Sequence, residues 1–411
     1  MEGSFVVSQL GARMHYAVPR IFESHQKLAH FYTDICALQG WPRMLNKLPG
    51  EMLPTAVRRL VGRKPGGIPQ EKMTTFPTFG LYSAIKRLAH ETGPKSTDNA
   101  IWAGKTFGAL VAARGFHGAH GLYAFSGEAL ELLTVARNQG VWTAVEQMIA
   151  PRPVVDRLAA EESLLHPGWQ SPENDDSSSS EFAARERAEW RIADAVICPS
   201  QFVADHVIQA GCEPQKVVVV PYGVDDRFQI PPRQREPGPL RVLTVGAVGL
   251  RKGSPYVGAV AQSLAGKMEF RMVGPIDVRP QARETLEQCV ELTGPIPRSE
   301  MRAQFEWADV FFLPSLCEGS ATVCYEALAS GIPVICTENT GSVVRHGIDG
   351  YIVPIRDVHE TILRLQQISD SPALLAALSI KARERARDFT VERYGERLLV
   401  AISNRSNMGL S

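Results

Sequence analysis

Residues 230–239, IPPRQREPGP, hold four prolines in ten positions, and this run limits the possible folds more than any other feature of the chain. Each proline removes an amide donor and fixes φ, so neither a helix interior nor a central strand passes through it. A connection of that kind divides the 411 residues into two blocks, each long enough for a core of its own. Before it, apolar runs of strand length occur at 5–9, 121–125, 141–145, 195–198 and 217–220; after it, at 241–245, 270–273, 290–293 and 310–315. Helix-length sequence follows several of them, towards Leu28 and at 129–138, 183–191 and 322–329. Repeated strand, turn and helix units imply parallel sheets covered on both faces. The fold class expected is therefore α/β, with two Rossmann-like, doubly wound domains. The boundaries expected are 1–232 for the first domain and 233–393 for the second, and residues 382–400 read as helix.

One of the turns carries chemistry. Glu318 and Glu326 stand eight positions apart in LPSLCEGSATVCYEALASG, between the 310–315 strand and the 322–329 helix. Glu318-Gly319-Ser320-Ala321 is thus a strand-to-helix loop at the carboxyl edge of a sheet, where open α/β sheets hold ligands. Gly319 lets a ligand approach the main chain, and free amides from Ala321 to Val323 favour an anion such as a pyrophosphate. A carboxylate repels a phosphate beside it but accepts well from hydroxyls. The ligand therefore needs hydroxyl-rich groups on either side of its phosphates, the layout of a nucleotide sugar. The rival reading is two acids in contact with solvent.

Residues 326–335, EALASGIPVI, sharpen the choice. Here the segment resembles the family four (group 1) retaining glycosyltransferases of the GT-B fold, whose signature is Glu, seven residues, Glu, then Ala-x-Ala-x-Gly-x-Pro-x-Ile. The resemblance covers 246 to about 388 well and 1–40 and 120–230 loosely, and it barely covers 41–105. It implies that the two domains face each other across a cleft and that 394–411 is a helix returning to the first. It implies that Glu318 holds donor-sugar hydroxyls and Glu326 the ribose, with Gly319, Ser320, Ala321 and Thr322 around the donor. Lys252-Gly253 matches the family's Lys-Gly. The arginine usual after the first glycine of that loop is Ala247 here, and Arg251 substitutes from four positions later. Lys252 and Arg251 would stabilise charge on the departing nucleoside diphosphate without a metal, which makes Lys252, Arg251 and Glu318 the implied catalytic set.

Gly11 either lets the first strand's backbone approach the donor phosphate or serves as a turn glycine, and main chain near Gly294 is expected to meet the base. On the acceptor side stand His15 and Glu146; Glu146 occupies a place where the family often has a histidine, and is either a sugar contact or a plain strand-end acid. The resemblance implies transfer of a hexose-type group from a nucleoside diphosphate sugar to a hydroxyl acceptor, a sugar or a lipid-linked glycan. Retention by front-face attack is implied too, in glycan, cell-surface polysaccharide or glycolipid synthesis. No cofactor and no metal is expected. The alternatives are a non-catalytic sugar-nucleotide-binding protein, or an epimerase or phosphorylase on the same fold.

Forty-four basic and forty-four acidic residues cancel, so nothing in the net charge points to nucleic acid. Seven scattered cysteines without a Cys-x-x-Cys pair argue against a zinc site or a disulfide framework and favour a reducing compartment. With no leader-like or membrane-spanning run, a cytoplasmic location is expected. Bases crowd residues 41–105, a stretch expected to be an insertion. Within it, apolar Leu53, Val57, Leu60 and Val61 alternate with Arg58, Arg59, Arg63 and Lys64, either as an interfacial helix on an anionic membrane or as a helix packed on its own domain. Residues 171–180, SPENDDSSSS, read as a mobile loop. Gly104-Lys105-Thr106 ends like a phosphate loop but has no strand before it, and His117 with His120 lacks a third metal ligand.

Overall fold

The computed structural model describes residues 3–45, 57, 60–89, 94–170, 177–232, 235 and 237–408. Two parallel sheets form two lobes. The first has seven strands: β1 (Phe5–Gln9), β2 (Leu28–Thr33), β3 (Met73–Thr75), β4 (Gly121–Phe125), β5 (Trp142–Glu146), β6 (Ala195–Cys198) and β7 (Val217–Val219). The second has six: β8 (Leu240–Val245), β9 (Met268–Val273), β10 (Glu291–Gly294), β11 (Val310–Leu313), β12 (Val334–Thr337) and β13 (Gly350–Val353). Their spatial orders are β3-β2-β1-β4-β5-β6-β7 and β10-β9-β8-β11-β12-β13. In each sheet the order reverses at the first strand, between β1 and β4 and between β8 and β11. Such switch points open a crevice at the strands' carboxyl ends. Every residue of β1, β4 and β11 is buried, as expected of strands covered on both faces.

Residues 41–105 are not simply an insertion. Met73–Thr75 pairs with β2 as the edge strand of the first sheet. Helices Pro77–Ala89 and Pro94–Ala112 follow, and Phe76, Phe79, Phe107 and Val111 join Val6, Tyr32 and Leu122 in one core. Gly104 is buried inside the second helix against the Gly127 carbonyl, so Gly104-Lys105-Thr106 lies within a helix and is not a phosphate loop. Of the segment read as either an interfacial helix or a helix packed on its own domain, residues 53–56, 58 and 59 lie outside the described residues; so do 171–176 of the segment read as a loop, whereas Ser177–Ile192 is helix. Among the described residues no helix is long and apolar enough to cross a membrane.

The helical pattern over 382–400 resolves into two helices, Pro372–Arg387 and Val391–Met408. At the break, Val224 N–H donates to the Phe389 carbonyl over 2.8 Å, and Val224 pairs with Thr390 as an isolated bridge. The last helix then packs on the first lobe: Tyr394 is fully buried against Tyr222, and Gly395 lies against Ile21 of helix Ala17–Ser24. Arg397 fixes the crossing by donating to the Pro221 and Tyr222 carbonyls at 3.1 and 3.2 Å.

Candidate active site at the facing switch points

The loop after β8 folds back beneath its own strand. Gly246 has φ of 146°, and the Lys252 side chain lies where a Cβ would stand, which is why glycine is required there. Leu316 N–H donates to the Arg251 carbonyl at 2.9 Å, joining this loop to the one after β11. Arg251 Nη1 and Lys252 Nζ then meet a single oxygen, Glu318 Oε1, at 2.7 and 2.8 Å. Lys252 and Glu318 are largely buried, while Arg251 is 45% exposed. Two cations and one carboxylate leave a positive remainder at the sheet switch point.

Beyond Glu318 the loop differs from the cradle of free amides expected. The Ala321 N–H already donates to the Thr340 carbonyl at 3.0 Å, so the amides of Thr322 and Val323 open the Thr322–Ala329 helix. Ser320 Oγ is turned into the fold, 2.6 Å from the Tyr325 hydroxyl and 2.9 Å from the Gly341 carbonyl. Gly319 has a different necessity from the one expected: a side chain there would strike the Met148 carbonyl of the first lobe, and Ser200 Oγ donates to the Gly319 carbonyl at 2.5 Å. The glycine permits contact between lobes.

Glu326, one turn into the helix, is 5% exposed. Arg298 Nη2 reaches its Oε1 at 3.0 Å. Burial raises the Glu326 carboxyl above its ordinary value, and Arg298 counters it. The acid lines a cavity of about 260 Å³ with Thr322 and Arg298 from the second lobe, His15 and Arg20 from the first, and Arg227 from the connection. His15 thus stands with Glu326, its imidazole held below the usual value by desolvation and by Arg298 and Arg227. Gly11 (φ 72°), two residues after β1, and Gly294 (φ 71°), the last residue of β10, each have open space where a side chain would be.

Glu146 is not brought to the cleft. It is the buried last residue of β5 and accepts from the hydroxyls of Tyr123 and Tyr222, the latter at 2.7 Å, so the acceptor-side role considered for it does not suit its position. Residues that sequence reasoning missed hold the loop after β1 instead. Asp34 accepts from Gly11 N–H at 3.0 Å and Glu128 from Leu10 N–H at 2.9 Å. Between them Met14, His15 and Tyr16 all adopt left-handed backbone, with φ of 43°, 52° and 60°. Three consecutive non-glycine residues in that region are a strain that only surrounding contacts maintain. Asp34 and Glu128 follow β2 and β4 closely in sequence, which was the available signal.

Burial lifts the carboxyls of Glu128, Glu186 and Glu189 to about 7. Such a group binds its proton more tightly in the folded chain, so its contribution is present below the unfolded value, about 4.3, and is lost as pH rises through about 7. Compared with a Glu128→Gln variant, the parent is expected to lose stability between about pH 5 and pH 8. Urea midpoints at the two pH values check this, and a parent that gains on the variant over that interval contradicts it.

Comparison with known proteins agrees with this arrangement. Residues 239–370 match the family described as glycosyl transferases group 1, and residues 165–228 match glycosyltransferase family 4. The chain is 28% identical over 194 residues to the amylovoran biosynthesis glycosyltransferase AmsK of Erwinia amylovora, covering 43% of this chain and 48% of that protein. It is 31% identical over 229 residues to the putative colanic acid biosynthesis glycosyltransferase WcaL of Salmonella typhimurium, covering 51% and 56%. The chain thus spans about half the length of these curated relatives. Among solved structures, Anabaena HepE in complex with UDP superposes with a TM-score of 0.64 at 14% identity, over 98% of this chain and 100% of that one. Sucrose-phosphate synthase from Thermosynechococcus elongatus gives 0.63 at 18% identity over the whole of both chains. With a group 1 match over residues 239–370, a family 4 match over residues 165–228 and two parallel sheets facing across a cleft, the chain has the GT-B fold and is similar in both lobes to the group 1, family four glycosyltransferases.

Proposed function

We propose that this chain transfers a hexose-type group from a nucleoside diphosphate sugar to a hydroxyl of a growing cell-surface polysaccharide, with retention and without a metal. The observation that carries the reading is the meeting of Arg251, Lys252, Glu318 and the Glu326 cavity at two facing switch points. AmsK and WcaL, named for amylovoran and colanic acid biosynthesis, support the acceptor class; HepE, solved with UDP and with UDP-glucose, supports the donor class.

An incoming diphosphate takes Arg251 and Lys252 from Glu318, and the released carboxylate accepts from donor-sugar hydroxyls. Glu326 accepts from the ribose while Thr322 and Val323 amides face the phosphates. The bond from the anomeric carbon to the diphosphate breaks as the acceptor oxygen bonds on the same face. The acceptor proton passes to the departing diphosphate, whose charge Lys252 and Arg251 stabilise. Glu146, engaged by Tyr123 and Tyr222, is no candidate nucleophile, which supports this route over double displacement. We place the reaction in the cytoplasm, with peripheral contact at the inner membrane surface.

Thermal shift against UDP, GDP and ADP sugars, run with EDTA, tests the reading: a ligand at a hundred times its dissociation constant adds ~2.7 kcal/mol. Product analysis with and without acceptor then separates transferase from epimerase. A chain that no nucleotide sugar stabilises, or whose turnover collapses in EDTA, would sink it. Glu318→Gln gives a sharper result. With its charge gone the cations are freer, so UDP is expected to bind about fivefold tighter, the equivalent of ~1 kcal/mol for a partly screened pair, while transfer slows. Calorimetry showing weaker UDP binding would refute the exchange.

A further inference from the structure

Helix Arg152–Leu165 belongs in sequence to the first lobe but ends on the second. Val155, Leu158 and Ser163 line a cavity of about 550 Å³ together with Ala247, Arg251 and Lys252, so the helix forms the wall opposite the cationic pair. Its far end is fastened. Glu162, with no side-chain exposure, accepts from Arg356 Nε at 2.5 Å and from the Tyr256 hydroxyl at 2.7 Å. Arg356 Nη2 also reaches Glu161 at 2.8 Å. The next residues extend the attachment: the Trp169 carbonyl accepts from Arg279 N–H at 2.8 Å, and Gln170 accepts from Leu250 N–H at 2.9 Å. Leu250 immediately precedes Arg251, so the fastening is continuous with the loop that carries the cations. Arg356 itself holds left-handed backbone, φ 68°, although it is not glycine. A carboxylate this deeply buried is tolerated only with its partners in place, so Glu162 demands closed lobes.

We propose that Glu162, Arg356 and Tyr256 form an interlobe clasp of positioning residues that fixes the wall over Arg251 and Lys252 and so sets the width of the diphosphate cavity. The proposal rests on the reading, given above, of Arg251 and Lys252 as the partners of the donor diphosphate. With the clasp intact the cavity is preformed. Once it is released, only a fraction of molecules present the closed form, apparent donor affinity falls by that fraction, and water competes with the acceptor for the sugar.

The test compares full-length parent with Arg356→Ala and with the double variant Arg356→Met, Glu162→Gln, in which no buried charge is left unpaired. The measurements are thermal stability, hydrogen exchange across 152–165, UDP calorimetry and the ratio of acceptor-free UDP-glucose hydrolysis to transfer. The double variant is expected to melt close to the parent, to exchange faster over 152–165, to bind UDP roughly fivefold or more weakly, and to raise the hydrolysis ratio. A purely structural role would not move that ratio in a stably folded variant. Parent-like exchange over 152–165 in the double variant overturns the clasp, as does unchanged UDP affinity in a parent that binds UDP. If the parent binds no UDP, the reading of the cavity fails, and the exchange comparison still decides whether the clasp exists.

Discussion

Lys252→Ala is expected to slow transfer by about 10²–10³-fold, the loss that follows removal of one preorganised group facing transition-state charge. Its side chain is 12% exposed and its ammonium is held 2.8 Å from Glu318, so it is fixed in advance at the place the proposed mechanism gives the leaving diphosphate. Arg251→Ala should cost less, because a side chain 45% exposed is screened by water. The fold should survive both changes, since Glu318 keeps one cation in each. Initial rates at saturating donor, with melting temperatures alongside, decide the matter: the fall should be in kcat. A Lys252→Ala enzyme with parental kcat would remove Lys252 from the catalytic set.

Glu326→Ala should weaken donor binding by about 10- to 150-fold, the equivalent of the ~1.5–3 kcal/mol carried by a hydrogen bond to a charged group. Rate at low donor concentration should fall in parallel. The acid is 5% exposed, so water cannot replace it for a ribose placed in its cavity. Arg298, 43% exposed, finds solvent when its partner is gone, and stability should change little. A donor lacking the ribose 2′ and 3′ hydroxyls supplies the control: the parent should bind it poorly, and the variant should bind it no worse than the parent does. If the variant still distinguishes the two donors as strongly as the parent, Glu326 does not hold the ribose.

How much of this could be read from residues alone depended on the distance over which each feature is determined. β4, β11 and the Thr322–Ala329 helix were legible because an unbroken apolar run beside glycine or a helix-forming run is a local signal. β2 was not, since His30, Tyr32 and Thr33 interrupt the pattern of LAHFYT and its burial is supplied by later elements. The break at 388–390 was hidden for the same reason, being made by pairing with Val224, far away in sequence. In the site, the charged groups on motif loops could be named in advance, but not what each one touches. Nothing local shows that Glu318 holds both cations, that Ser320 faces inward, or that Asp34 and Glu128 grip the β1 loop from 23 and 118 residues away. Glu146 illustrates the converse: a strand-end acid in the right register was claimed by two tyrosines from β4 and the far end of the lobe.

The polypeptide passes between the lobes twice, once at the proline-rich connection and once at 388–390, and the stitch between Val224 and Phe389–Thr390 brings the flanks of those passages together. Two tethers joined at one spot act as a single pivot. Relative motion of the halves is then a swing about that spot rather than a slide, and each degree of rotation translates into travel in proportion to distance from it. Small adjustments at the spine of the molecule are thereby geared up at its mouth.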